Sequence, residues 1–212
     1  MSVAVSVSEV PALVTRDDLI REALDELDRA DITDLQARAS LQLLEGYLNR
    51  ELRVPQMEKV TTVAFASGTA VLPMDFIALR AMYDGKRVSI PAVDPVQMVE
   101  TLTGGRKVHA IVGGDFLLAP PSDEVVTIIY FSRIPALTAN AQTNWLLASH
   151  PDVYFYGLLA FLCSRLADEN EAKWRALLDQ SIGSLIGYSH SRRFGGPLLQ
   201  RSSVSQVRGA PV

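Results

Sequence analysis

The segment that decides the fold spans residues 144–179 and reads NWLLASHPDVYFYGLLAFLCSRLADENEAKWRALLD. After Pro151, the run from Val153 to Cys163 leaves no polar helix face, so we expect neighbouring protein to surround this helix. Gly157 in its middle costs roughly 1 kcal/mol relative to alanine, which is tolerable where a neighbouring backbone approaches closely. The sequence therefore predicts a buried central helix, followed after a charged break by an amphipathic helix that covers it.

Two amphipathic helices are predicted near the start of the chain. Thr15 can cap the first, with two aspartates in its first turn, where the helix dipole favours acidic side chains. Asp31 and Thr33 give a second capping signal, and leucines then recur at helical spacing. Pro55 ends this second helix because proline lacks an amide donor and biases the preceding residue away from helix.

Between residues 58 and 136 the apolar period changes from helical to alternating. Ser67-Gly68, Asp84-Gly85 and Gly113-Gly114-Asp115 are turn signals between short strand-like runs. All three predict hairpins, and a short helix capped by Asp94 is expected at 95–102. This part of the chain is predicted to form a small antiparallel β module.

These assignments predict an α+β fold. The central helix needs cover on all sides, so the N-terminal and C-terminal helices are expected to form a four-helix cluster with the β module inserted between its second and third helices. The expected organisation is a flexible N-terminal segment at 1–14, a discontinuous helical domain at 15–54 and 148–188, the β module at 58–136, and an extended basic C-terminal arm at 189–212.

Composition excludes several classes of function. The chain has 212 residues, a net charge of −4 and a pI of about 5.4, so its whole surface is not built to neutralise phosphates. The single cysteine, Cys163, excludes an internal disulfide framework. No basic segment precedes the small apolar residues at the start, as a signal peptide would require. The longest apolar run is far below the ~20 residues of a membrane span, which predicts a soluble protein.

No constellation of residues supports catalysis, a cofactor or a metal. His109, His150 and His190 are dispersed along the chain and do not share the spacing of a metal site. Cys163 lies in the apolar helix, where thiols are usually buried and unreactive. The sequence GGRK at 104–107 lacks the leading glycine and the hydroxyl residue of a phosphate-binding loop.

The C-terminal tail is the main charge asymmetry. Residues 189–212 contain four arginines and no acidic side chain. The tail is either a disordered terminus or an arm that becomes ordered on an acidic partner surface, and the residues alone leave both readings open.

Five segments of the chain resemble the head-to-tail adaptor proteins of tailed bacteriophages and prophages, and the similarity runs from about residue 16 to 201. They are LNRELRVPQME (48–58), LPMDFIALRAMYDG (72–85), GGDFLLAPP (113–121), YFSRIPALTANAQTNWLLASHPDVYFYGLLAFL (130–162) and RRFGGPLL (192–199). The most specific part runs from IPALT through NWLL to HPD and YG. The chain departs from the family at AFLCSRLADENEAKW, where relatives carry more alanine and an Asp-Asp-Glu before the tryptophan.

The resemblance implies a structural virion protein and no enzyme. Such adaptors form homo-oligomeric rings, commonly of twelve subunits, which dock under the portal protein, extend the DNA channel and provide a platform for tail or nozzle proteins. The location implied is the neck of the virion, after assembly in the host cytoplasm, with no membrane partner. An acidic ring would also let viral DNA slide through without specific binding.

Two sets of residues are the expected contact sites. Carried onto this chain, the family's portal-binding segment predicts a role for Arg192, Arg193, Phe194, Leu198, Leu199 and Arg201. The charged side chains of Glu169, Lys173 and Arg175 on the last helix are candidates for subunit contacts.

Two alternatives stay open at this point. The first is a neighbouring stopper or tail-completion ring of the same neck. The second is a nucleic-acid-binding module that uses the basic tail, for which steeply salt-dependent DNA binding would be the discriminating observation.

Overall fold

A computed structural model of the chain describes residues 13–29, 31–101 and 106–194, with the backbone alone at 99–101 and 190–194. In these residues the fold is mixed α and β, as predicted. The α-helices are α1 (Arg16–Leu27), α2 (Asp34–Glu51), α3 (Pro95–Thr101), α4 (Trp145–Ser149), α5 (Pro151–Leu166) and α6 (Glu171–Phe194). The strands are β1 (Glu58–Ala64), β2 (Thr69–Val71), β3 (Phe76–Tyr83), β4 (Val108–Val112), β5 (Asp115–Ala119) and β6 (Val125–Ser132).

The central helix α5 contacts α1, α2, α4 and α6. Its buried side chains join one hydrophobic cluster with the buried leucines of α1 and α2 and with Trp174, Leu178 and Leu185 of α6. The predicted burial of the apolar segment is thus confirmed, because helices from both ends of the described chain cover it. The short helix α4 was not predicted and is one of the covering elements.

Close packing explains the glycine of α5. A Cβ built on Gly157 would lie 2.5 Å and 2.8 Å from the two Cδ atoms of Leu44. Leu44 belongs to α2 and is completely buried. The close approach expected from the sequence therefore exists, but it is made by a side chain rather than by a neighbouring backbone.

Strand pairing confirms the hairpin predicted at Gly113-Gly114-Asp115 and differs from the other two predicted hairpins. The sheets have the orders β1-β6-β3 and β2-β5-β4, and all pairs are antiparallel. Only β4 and β5 form a hairpin between neighbouring strands. The turn at Ser67-Gly68 sends β2 to the second sheet instead of back along β1, and the strand expected after Asp84-Gly85 is reduced to a bridge between Tyr83 and Ser89. Long-range pairing with β6 and β5 replaces both local hairpins.

A short segment at 89–93 joins the edges of the two sheets. Its backbone bonds on one side to β3, through Ile90 N–H and Met82 C=O, and on the other to β4, through Val93 N–H and His109 C=O, both at 2.9 Å. A second hydrophobic cluster contains side chains from both sheets, including Met82, Phe116 and Ile128. The two sheets therefore share a core that is separate from the helical one.

The last helix is longer than predicted. The C-terminal arm is expected from the sequence to begin at residue 189, whereas α6 continues to Phe194. Ser189 is buried and continues the face formed by Ile182 and Leu185. Two glycines lie inside α6 without ending it, and no proline occurs in the helix, so nothing in the sequence stops the helical hydrogen bonds at 189. The predicted boundary at 189 is corrected accordingly.

Candidate interaction surfaces

The most distinctive run of the sequence forms the junction between the sheets and the helices. After β6, the chain crosses α2, where the Asn49 side chain accepts from Ile134 N–H at 2.8 Å and Glu45 accepts from Leu137 N–H at 2.7 Å. Further on, Gln142 C=O accepts from Arg16 N–H at 2.7 Å. These hydrogen bonds tie the backbone of the connection to both α1 and α2 and so fix its conformation.

Asn144 completes the junction. Its side-chain oxygen caps α4 by accepting from Leu147 N–H at 2.9 Å, and its amide nitrogen donates to Pro135 C=O at 2.7 Å and to the Tyr154 hydroxyl at 2.8 Å. Burial raises the pKa of the Tyr154 hydroxyl, so it stays neutral. Asn144 was not predicted as a cap, although an asparagine directly before an apolar run such as WLL is a recognisable helix-cap signal.

The three predicted subunit-contact residues lie near the start of α6 but do not form one cluster. Glu169 is exposed in the turn before the helix. The Lys173 ammonium lies 4.0 Å from the centre of the Trp174 ring. Arg175 lies over Phe161 and Tyr47 at 5.2 Å and 5.9 Å and is 3.8 Å from Glu171. Both cations stack on aromatic rings of their own subunit.

The arm residues lie at or beyond the limit of the structure. Arg192, Arg193 and Phe194 belong to the last turn of α6, and their side chains are not described. Leu198, Leu199 and Arg201 lie outside the described residues. The portal-binding role of the arm thus remains a prediction.

His109 and Cys163 are both buried, and burial shifts the pKa of each towards its neutral form. His109 is buried in β4, with Nδ1 3.0 Å from Ile90 C=O, and burial lowers the pKa of its imidazole. Burial likewise raises the pKa of the Cys163 thiol, which makes it a poor nucleophile. Across 13–29, 31–101 and 106–194 no three His, Cys, Asp or Glu side chains are grouped as a metal site would need. Within the same ranges no helix has the length and apolarity needed to cross a bilayer.

Two surface depressions flank β3. One, of about 620 Å³, lies between β3 and the segment 89–95, where Arg80 is paired with Glu58 and His109 bonds to the backbone. The other, of about 410 Å³, lies between the end of α2 and β3. We call it the arginine pocket, because its rim carries Arg50, Arg53 and Arg133. This pocket was not predicted from the sequence, since Arg133 is far along the chain from Arg50 and Arg53.

The outer face of α2 is also unusual. Leu35 is 78% exposed and Leu43 61% exposed, although both stand in a helix whose other leucines fill the core. Contiguous apolar patches mark surfaces that bind another protein, whereas single exposed leucines are common on protein surfaces, so these two add apolar area but do not define a binding site.

A comparison with family models identifies the chain. The model of the SU10 adaptor protein matches residues 14–201, which is nearly the whole sequence. The chain therefore belongs to this family of phage head-to-tail adaptors. No match was found among curated proteins.

Proposed function

We propose that this chain is the head-to-tail adaptor of a tailed phage and that copies of it form a ring under the portal. The observation that supports the proposal most strongly is the family match, which covers both the helical core and the β sheets. In this proposal the ring lies in the virion neck, lengthens the DNA channel and carries the tail proteins on its far side. Function then depends on interfaces and not on an active site.

The architecture suits a ring subunit. A ring of identical subunits needs each copy to keep its shape, because small errors in rotation add up around the axis. Here α5 is enclosed by other helices of the same chain, and the connection at 133–144 is bonded to α1 and α2. These contacts give the subunit a rigid centre around which its outer faces can bind neighbours.

The C-terminal arm is proposed as the part that reaches the portal. It follows directly on α6, and residues 195–212 include Arg201 and Arg208 and no acidic side chain. A segment that becomes ordered only on a complementary acidic surface would bind after the portal has been built, which gives assembly its order.

A truncation tests this role of the arm. A variant that ends at Phe194 keeps the whole of α6, so we expect it to fold and to keep its helical circular dichroism. The full chain should be retained on immobilised portal rings of the same phage, and the truncated chain should be lost on washing. Retention of both to the same extent would contradict the role of the arm.

The same assay separates the alternatives. A stopper or tail-completion protein would be retained only after another ring protein had been added to the portal. A nucleic-acid-binding module would be retained on duplex DNA instead, with affinity that falls steeply with salt.

A further inference from the structure

We propose that the arginine pocket binds the acidic face of α1 from a second copy of this chain, and so forms the contact between neighbouring subunits of the ring. We call that face the α1 ridge and define it as Glu22, Asp25 and Glu26. This inference rests on the proposed ring, and it names the two surfaces that meet there.

The arginine pocket is ready to bind carboxylates. Arg53 is held in place because its guanidinium donates to Asn49 C=O and Leu52 C=O at the end of α2. Arg50 and Arg133 are exposed on the same rim. Among the described residues, no carboxylate forms an ion pair with any of the three. Guanidinium groups form two parallel hydrogen bonds with a carboxylate, which makes such a cluster a suitable receptor for acidic side chains.

The pocket is open above α2. Gly46 forms part of its wall, and a Cβ built there would meet only the Arg50 side chain, at 4.0 Å. The rest of the wall includes Ile77 of β3. A helix from another subunit can therefore approach the backbone of α2 closely at this point.

The α1 ridge has the complementary charge. The two arginines of α1 are already used, because Arg16 pairs with Asp17 and Arg21 with Asp18. The three ridge carboxylates have no basic partner within the part of the chain that the structure describes. They stand at i, i+3 and i+4 on one helix face, where like charges repel and destabilise an isolated helix.

A contact between the ridge and the pocket would relieve the repulsion among the ridge carboxylates and the repulsion among the pocket arginines. Three carboxylates would face three guanidinium groups. In the proposed ring each subunit offers its ridge to one neighbour and its pocket to the other, which makes the contact heterologous. Heterologous contacts generate rings when the rotation between subunits closes. The outer face of α2 continues from the pocket to the exposed Leu35, which could add apolar area to the same contact.

Charge exchange tests the proposal. The pocket variant carries Arg50→Glu and Arg133→Glu, which leaves Arg53 to its bonds at the end of α2. The ridge variant carries Glu22→Arg and Glu26→Arg. Each variant alone presents like charges at every contact, so we expect neither to form rings on immobilised portal.

An equimolar mixture of the two variants should restore the rings. The basic ridge of one variant then faces the acidic pocket of the other, and the remaining contact keeps its original charges. A chain that carries all four substitutions should also form rings, because both of its surfaces are exchanged. Ring formation is scored by electron microscopy and by the mass ratio of adaptor to portal.

Matched controls separate charge from position. Lys86→Glu with Arg87→Glu changes the net charge as much as the pocket variant, and Asp179→Arg places a new arginine on exposed α6. Both should form rings alone. Circular dichroism should show wild-type helical content in every variant.

Each other outcome overturns the proposal. Rings from either single variant mean that the pocket and the ridge are not the subunit contact. If both variants fail to form rings and the mixture does not restore them, the pocket binds a partner other than the ridge. Weaker binding of duplex DNA by the pocket variant than by the wild type would identify that partner as DNA. These results concern the ridge and pocket only, because the proposed function is tested separately by binding of the wild-type chain to the portal.

Discussion

Single residues decide how closely the central helices pack. Gly157 and Leu44 occupy a space that has no room for one more methyl group. Asp94, Thr15 and Thr33 stand at the helix starts that the sequence predicted. Their side-chain oxygens accept hydrogen bonds from backbone N–H groups of the first turn, as a helix cap should. At this scale the sequence predicts much of the structure, because caps and turns depend on local chemistry.

Replacing Gly157 with alanine should destabilise the protein. Overpacking a rigid core usually costs about 1–3 kcal/mol, and the gain in helix propensity offsets roughly 1 kcal/mol of it. We therefore expect the free energy of unfolding in urea to fall by up to about 2 kcal/mol. Gly183→Ala is the control, because a Cβ at Gly183 meets nothing within 4 Å and should add stability.

A double variant locates the cause of that effect. In a Leu44→Ala background the added methyl group enters space that the leucine has vacated, so Gly157→Ala should become neutral or stabilising. An equal loss of stability in both backgrounds would show that contact with Leu44 is not responsible.

The stability of the protein should depend on the protonation of His109. Burial lowers the pKa of its imidazole below the ordinary value of 6.5, so the folded chain binds fewer protons than the unfolded chain. This contribution to stability is present above the unfolded pKa and is lost as the pH falls through it towards the folded value.

Urea unfolding at two pH values checks this dependence. The free energy of unfolding should fall from about pH 7.5 to about pH 5.5 more steeply in the wild type than in His109→Gln, which cannot take up a proton. Glu45 titrates in the opposite sense, because burial raises the pKa of its carboxyl, and comparison with the variant removes its effect. Parallel pH dependences would contradict the assignment to His109.

At the scale of elements, the junction between sheets and helices is the part that the sequence could not predict. The short α4 lies below the length at which helical periodicity can be recognised. The pairing of β1 with β6 joins residues about 70 positions apart in sequence, and such contacts depend on the tertiary core rather than on local turn residues. Strand existence was predictable here, whereas strand partners were not.

Loss of the Asn144 side chain should loosen this junction. Asn144→Ala removes the cap of α4 and leaves the Pro135 carbonyl and the Tyr154 hydroxyl without their donor. We expect a loss of about 2–4 kcal/mol in the free energy of unfolding, from a lost cap and unsatisfied buried groups.

The Tyr154→Phe variant measures how much of the stability lost in Asn144→Ala comes from the hydrogen bond to the Tyr154 hydroxyl. It removes only the hydroxyl and should cost about 1 kcal/mol. The double variant should lose less stability than the sum of the two single losses, because both substitutions remove the same hydrogen bond. Strict additivity would contradict a coupled network at Asn144.

At the scale of the whole molecule, the sequence predicted which segment lies at the centre but not which surfaces face outward. The run from Val153 to Cys163 is apolar on all sides, and burial was its only stable arrangement. The arginine pocket gathers Arg50, Arg53 and Arg133 from two distant parts of the chain, so no local pattern could reveal it. Lys173 and Arg175, chosen from sequence as contact residues, stack on rings of their own subunit, and their role between subunits stays a prediction.

The most direct test of the account is cryo-electron microscopy of the full chain assembled on purified portal rings. The account predicts a closed ring of this chain against the portal, in which α5 of every subunit is covered by helices of its own chain. A chain that stays off the portal, or a ring in which α5 lines the DNA channel, would contradict it.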